Sequence, residues 1–159
     1  MTESTNDGGG NGSGGSLRQF SLQRLYIKDM SFEAPNAPGI FNDAPGDPDV
    51  NLNLRNGHTA LDGDNHEVVL HLNIHAKVGG RSLFLVELDQ AGIFLIKGYG
   101  KDELKQLLGT YCPATLFPYA REAISSTVAK GGFPPLVLQP INFDALYAQA
   151  SNAPPQSES

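Results

Sequence analysis

The sequence has few residues that would cross-link the chain or charge it positively. It contains one cysteine, Cys112, no tryptophan, and 11 lysines and arginines against 17 aspartates and glutamates, for a net charge of −6. A single cysteine cannot form an internal disulfide, which fits a reducing compartment. The shortage of basic residues argues against nucleic acid as a partner, because phosphate binding needs clustered cations. An acidic surface points instead to proteins as partners.

Long apolar segments are also missing. No apolar run approaches the roughly 20 residues that a membrane-spanning helix needs. The N-terminus is polar and glycine-rich, whereas a secretory signal begins with a basic region followed by an apolar one. We therefore expect a protein that is neither exported nor inserted directly into a membrane.

Motifs for nucleotide binding, metal binding and catalysis are absent too. The segment Gly98 to Lys101 is the nearest match to a phosphate-binding loop, but it lacks the required Gly-x4-Gly-Lys-Ser/Thr pattern. His71 and His75 lie in a predicted strand, where about 13 Å would separate them, too far for one zinc ion. Asp29 and Glu33 have the same spacing, so a solvated acidic face explains them better than a catalytic pair. We predict no catalytic residues, no metal and no cofactor, and hence no enzyme.

Composition divides the chain into one domain and two tails. Residues 1–16 are dominated by Gly, Ser, Asn and Thr, and residues 151–159 are polar and contain two prolines. Such segments bury too little apolar surface to offset the entropy lost on ordering. The sequence therefore predicts disordered tails at 1–16 and 151–159 and a folded domain at 17–150.

The first part of the domain has the alternation that is typical of strands. Apolar and polar residues alternate between His66 and Val78, and similar or β-branched-rich stretches occur at 17–32, 50–54 and 83–96. Gly79 and Gly80 predict a two-residue hairpin between the third and fourth strands. Four prolines between residues 34 and 49 predict an irregular crossover between the first two strands.

After Gly100 the apolar period changes to that of a helix. Two helical pieces are predicted, with Pro113 marking the break between them, Pro118 as a competing kink, and Gly131-Gly132 as the end. A short last helix is predicted to begin with Asn142 as its N-cap. Strands followed by helices indicate an α+β fold.

Seven blocks of sequence, in order along the domain, closely resemble the SecB family of protein-export chaperones. They are residues 23–38, 67–70, 90–94, 111–113, 116–122, 132–135 and 140–146. The resemblance implies a four-stranded antiparallel sheet followed by a long broken helix and a short C-terminal helix. It also implies a homotetramer built as a dimer of dimers.

The function implied by the resemblance is that of a chaperone in the bacterial cytoplasm. Family members bind unfolded precursor proteins and deliver them to SecA, the export ATPase. Because no nucleotide-binding motif is visible, we expect the holding activity to be independent of ATP.

The resemblance also assigns roles to individual positions. Asp29, Glu33, Leu85 and Glu87 match positions that dock SecA, and Val86, Leu88 and Gln90 match positions that affect tetramer assembly. Strand alternation predicts that the SecA-docking residues share one face if the first and fourth strands are neighbours. The three assembly residues could equally be ordinary core residues under the helices.

An unfolded client needs a separate apolar groove. Our candidates are Ile40 and Phe41 in the crossover and Leu146 and Tyr147 in the last helix, although all four could be core residues. Two alternative functions remain open on the sequence alone. One is a SecB-like chaperone of a toxin–antitoxin system, and the other is a small-molecule-binding α+β domain with one enclosed pocket.

Overall fold

The computed structural model describes residues 17–43 and 46–152, so the predicted tail at 1–16 and all but the first two residues of the predicted tail at 151–159 lie outside the described residues. The strands are β1 (Gln19–Glu33), β2 (Asp49–Ala60), β3 (Asn65–Val78) and β4 (Arg81–Lys97). They are followed by the helices α1 (Lys101–Gly109), α2 (Tyr111–Lys130) and α3 (Phe143–Asn152). The predicted order of strands before helices is confirmed.

The four strands form one antiparallel sheet in the order β1-β4-β3-β2. Gly79 and Gly80 connect β3 to β4 with φ angles of +55° and +78°. Positive φ at both central residues is what a tight hairpin turn of matching twist requires, so the predicted hairpin is confirmed. β1 and β2 occupy the two edges of the sheet.

The crossover between β1 and β2 therefore passes from one edge of the sheet to the other. Its described residues form a short 3-10 turn, Gly39–Asn42, and are otherwise irregular, as the prolines predict. The Asn36 amide donates a hydrogen bond of 2.9 Å to the carbonyl of Ser82, which fixes the crossover to the start of β4. Ile40 is buried, whereas Phe41 beside it is about half exposed.

The helices cover one face of the sheet. On that face β3 contributes side chains that are fully buried: Val68, Leu70, Leu72, Ile74 and Ala76. Gly92 of β4 allows α2 to pack closely, because a Cβ atom there would lie only 2.9 Å from the Cδ2 atom of Leu116. The core thus lies between β3, β4 and α2, which leaves the opposite face of the sheet open to solvent.

The break between α1 and α2 lies at Thr110 and not at Pro113. Thr110 has a non-helical backbone (φ −125°, ψ −69°), and α2 begins at the next residue. Pro113 therefore falls in the first turn of α2, where its missing N–H loses no helical hydrogen bond. Pro118 lies inside α2 without ending it. The prediction of two helical pieces is confirmed, but Pro113 as their boundary was wrong by three residues.

The predicted end of α2 and the predicted start of α3 are confirmed. α2 ends at Lys130 with Gly131 as its C-cap, and Gly132 adopts a φ of +90° that favours glycine. The Asn142 side chain accepts a hydrogen bond of 3.0 Å from the amide of Ala145, which caps the start of α3. α3 runs through Asn152, two residues beyond the predicted domain limit.

Candidate docking and client-binding surfaces

The strand register places the four predicted SecA-docking residues on the open face of the sheet. β1 pairs with β4, and Glu33 lies directly opposite Leu85, Ser31 opposite Glu87, and Asp29 opposite Asp89. Residues paired in this way point to the same face. The side chains of Phe84, Val86 and Leu88 alternate with them and are buried under the helices. The prediction from strand alternation is therefore confirmed.

We call Asp29, Glu33, Glu87 and Asp89, together with the half-buried Leu85 among them, the acidic patch. Asp29, Glu33 and Glu87 are exposed, and Asp89 is half-buried. Glu87 accepts a hydrogen bond of 3.0 Å from the amide of Asn73, and Asp89 contacts the imidazole of His71. The result is a group of carboxylates around one aliphatic side chain. Strand alternation predicts that Asp89 shares a face with Leu85 and Glu87, and the register adds that it lies directly opposite Asp29.

A bulge in β1 sets the position of Asp29. The pairing of β1 with β4 shifts between Ile27 and Asp29, which brings Asp29 to the open face. The side chain of Gln90 reaches from the buried face and donates a hydrogen bond of 3.1 Å to the carbonyl of Tyr26 beside this bulge. Gln90 therefore helps to hold the shape of the edge strand.

A paired carboxylate marks the boundary of the patch on the same face. Glu67 accepts hydrogen bonds from the hydroxyl of Tyr26 and, at 2.9 Å, from the ammonium group of Lys28. These bonds lower the pKa of Glu67. Burial and the hydrogen bond to Glu67 raise the pKa of Tyr26 to about 12. Glu67 is thus ionised but already neutralised by a cation, unlike the carboxylates of the acidic patch.

The three predicted assembly residues lie in the core of the single chain. Val86, Leu88 and Gln90 are 1%, 0% and 3% exposed. They face α2 and do not reach the surface, so any influence on assembly acts through the packing of β4 or, for Gln90, through the shape of β1. All three side chains therefore lie in the core, which is the location that the alternative interpretation gave them.

Ile40 and Phe41 line an open apolar cavity of about 250 Å³ beside the crossover, which we call the aromatic cavity. The Phe41 ring lies 5.2 Å from that of Phe133, which in turn lies 5.2 Å from that of Phe84. Ile40 is only 6% exposed and belongs to the core, whereas Phe41 is 49% exposed and can reach a ligand. Sequence reasoning did not anticipate Phe133 here.

Leu146 and Tyr147 line a different cavity, of about 380 Å³, at the other end of β2. Its wall also contains Leu54 and Phe143, and Leu146 is 43% exposed. We call it the α3 cavity. The four predicted client-binding residues are therefore not in one pocket but in two, separated by the helix-side face of β2. Along that face Val50, which is 39% exposed, and the half-buried Leu52 continue the apolar surface.

His71 and His75 of β3 have separate partners. His71 contacts Asp89, and the Nε2 atom of His75 lies 2.7 Å from the hydroxyl of Ser82. Within residues 17–43 and 46–152, no group of three or more His, Cys, Asp or Glu side chains could hold a metal ion. None of the described helices combines the length and apolar character needed to cross a membrane.

A sheet with one charged face open to solvent, next to apolar cavities, is an arrangement typical of proteins that bind other polypeptides. The comparisons specify the family. A family model described as "Preprotein translocase subunit SecB" matches residues 14–153. The "Protein-export protein SecB" of Nitrosococcus oceani is 54% identical over 136 residues, which cover 85% of this chain and 83% of that protein. That of Ectopseudomonas mendocina is 51% identical over 149 residues, covering 94% and 91%. The chain belongs to the SecB family.

A solved structure supports the same fold. A SecB-like chaperone from Mycobacterium tuberculosis, in complex with a peptide from an antitoxin, aligns with a TM-score of 0.64 over 77% of this chain and 91% of that one. Its sequence identity is 15%, so this likeness concerns the fold alone. The four-stranded antiparallel sheet with a broken helix and a short C-terminal helix is thus an architecture that SecB-like chaperones adopt.

Proposed function

We propose that this SecB-family protein is an ATP-independent chaperone of protein export that holds unfolded precursors and delivers them to SecA. The observation that carries the proposal is the separation of two surfaces on one sheet. Apolar cavities open on the helix side, and the acidic patch lies on the opposite face. One molecule can therefore hold a client and present a carboxylate surface to a second protein at the same time.

The aromatic cavity and the α3 cavity are suited to clients of unrelated sequence. Each is small, mostly apolar and open, so each can take one or two apolar side chains of an extended chain. Weak binding at several such sites adds up through effective concentration. Release without ATP then comes from competition, with SecA binding the chaperone and the client together.

The acidic patch suits a basic segment of SecA. Its exposed carboxylates would attract cations at long range and guide encounter, and Leu85 offers a small apolar contact at the centre. We propose Asp29, Glu33, Leu85 and Glu87 as docking residues. Their grouping on one uncovered face supports this role, because docking needs side chains that a partner can reach together.

We propose further that the chain assembles as a homotetramer, a dimer of dimers, in the bacterial cytoplasm. Several copies would multiply the client-binding cavities. The relatives at 54% and 51% identity are named for protein export, which favours export over service to an antitoxin.

Substitution in the acidic patch tests the docking role. Glu87→Lys replaces an exposed negative charge by a positive one, so it should weaken binding of SecA at least about fivefold, with a smaller loss at high salt. Asp62→Lys makes the same charge change in the exposed turn between β2 and β3 and is the matched control. Titration calorimetry against SecA should show the loss for the first variant and not for the second.

Substitution in the aromatic cavity tests the client role. Phe41→Ala removes a half-exposed ring and should weaken suppression of aggregation of an unfolded precursor, measured by light scattering without nucleotide, while SecA affinity is retained. The assignment of the two surfaces is wrong if Glu87→Lys loses client binding while SecA affinity stays unchanged.

A further inference from the structure

One row of side chains crosses all four strands on the open face, with two acidic groups followed by two basic groups. Asp29 of β1 lies opposite Asp89 of β4, Asp89 lies opposite His71 of β3, and His71 lies opposite Arg55 of β2. The two carboxylates belong to the acidic patch, and His71 stands directly beside it. The imidazole of His71 therefore lies within the electrostatic environment of the patch.

Asp29 and Asp89 are an unfavourable pair, because like charges directly opposite each other in a sheet repel. The contact between the His71 Nδ1 atom and Asp89 offsets this repulsion when the imidazole is protonated. The side chains of His71 and Asp89 are 23% and 27% exposed, so water screens their interaction only in part. A cation from a docking partner could neutralise the same carboxylates.

We infer that His71 competes with the basic segment of the docking partner for Asp89, so that docking expels the His71 proton and weakens as pH falls. The inference rests on the proposed docking of SecA at the acidic patch. An imidazole changes its charge between pH 5 and 8. Linkage then requires that a partner which disfavours the protonated form binds more weakly when protons are abundant.

The other charged groups around His71 have different partners. Arg55 opposes it from β2 and carries a positive charge. Glu67, four residues earlier on β3, is neutralised by Lys28. His75, four residues later, contacts the hydroxyl of Ser82 and no carboxylate. Asp29, Glu87 and Asp89 on β1 and β4 are the acids on the side of His71 opposite to Arg55.

Titration calorimetry of the full chain against SecA between pH 6 and 8 tests the inference. A positive charge next to the docked segment should weaken binding about threefold to tenfold at the lower pH. Measurements in two buffers of different ionisation enthalpy should reveal release of a fraction of a proton on docking of the wild-type protein. His71→Gln should bind with little dependence on pH and should release less.

Two further variants control the result. His58→Gln removes a histidine from the helix side of β2 and should keep the wild-type pH dependence. Asp89→Asn removes the carboxylate that favours the protonated imidazole, so it should weaken docking at pH 8 and reduce proton release, even if His71→Gln fails to fold.

The outcomes separate this inference from the proposed function. If SecA does not bind at pH 8, the proposed docking itself is wrong. If SecA binds equally at pH 6 and 8 without proton release, or if His71→Gln keeps the full pH dependence, docking stands and the role of His71 is overturned.

Discussion

At the residue scale, the fold suppresses the reactivity of the Cys112 thiol. It is 0% exposed, and burial raises the pKa of its thiol to about 12. Because the thiolate is the reactive form, we predict that a thiol reagent at pH 8 labels the native protein more than about a hundredfold slower than the chain in guanidinium. It is the one cysteine in the sequence, so absorbance of the released reagent reports on it alone. Rapid labelling of the native protein would contradict this and would mean that α2 opens away from the sheet.

At the element scale, the attachment of α3 depends on a glycine. A Cβ atom at Gly109, the last residue of α1, would lie 2.5 Å from the Cδ2 atom of Tyr147 in α3. We predict that Gly109→Ala displaces Tyr147 and increases amide hydrogen exchange across α3, while α2 keeps its protection. Gly57→Ala is the matched control, because a Cβ atom in that strand has no neighbour within 4 Å. Equal exchange in α3 for both variants would show that α1 does not hold α3 in this way.

At the scale of the whole molecule, neither edge of the sheet is paired with another strand among residues 17–43 and 46–152 of one chain. β1 has 15 residues, and Ile27 on it is 49% exposed. A long edge strand readily pairs with another chain. We therefore predict a homotetramer, with a mass in light scattering at micromolar concentration of four times the 17.0 kDa of one chain. Dilution into the nanomolar range with no change in mass would indicate a tight assembly, and a strictly monomeric particle would remove the basis for binding at several cavities.

Local patterns predicted the elements of this fold well, because each depends on neighbours in the chain. The hairpin at Gly79-Gly80 follows from turn chemistry, and the cap at Asn142 follows from its side chain. The break at Thr110 could not be read in this way. Pro113 is the stronger local signal, but the first turn of a helix accepts proline, so packing decided where the bend lies.

The sequence by itself determined that this is an acidic α+β chain of the SecB family, with strands before helices and with Asp29 and Glu33 in phase along one strand. Only the tertiary structure decided which residues meet. The β1–β4 register brings Asp89 into the acidic patch beside His71, and the path of β2 divides the client-binding candidates between two cavities. The physical reason is that periodicity acts over a few residues, whereas strand order and register are set by the burial of a whole face, which joins positions far apart in the chain.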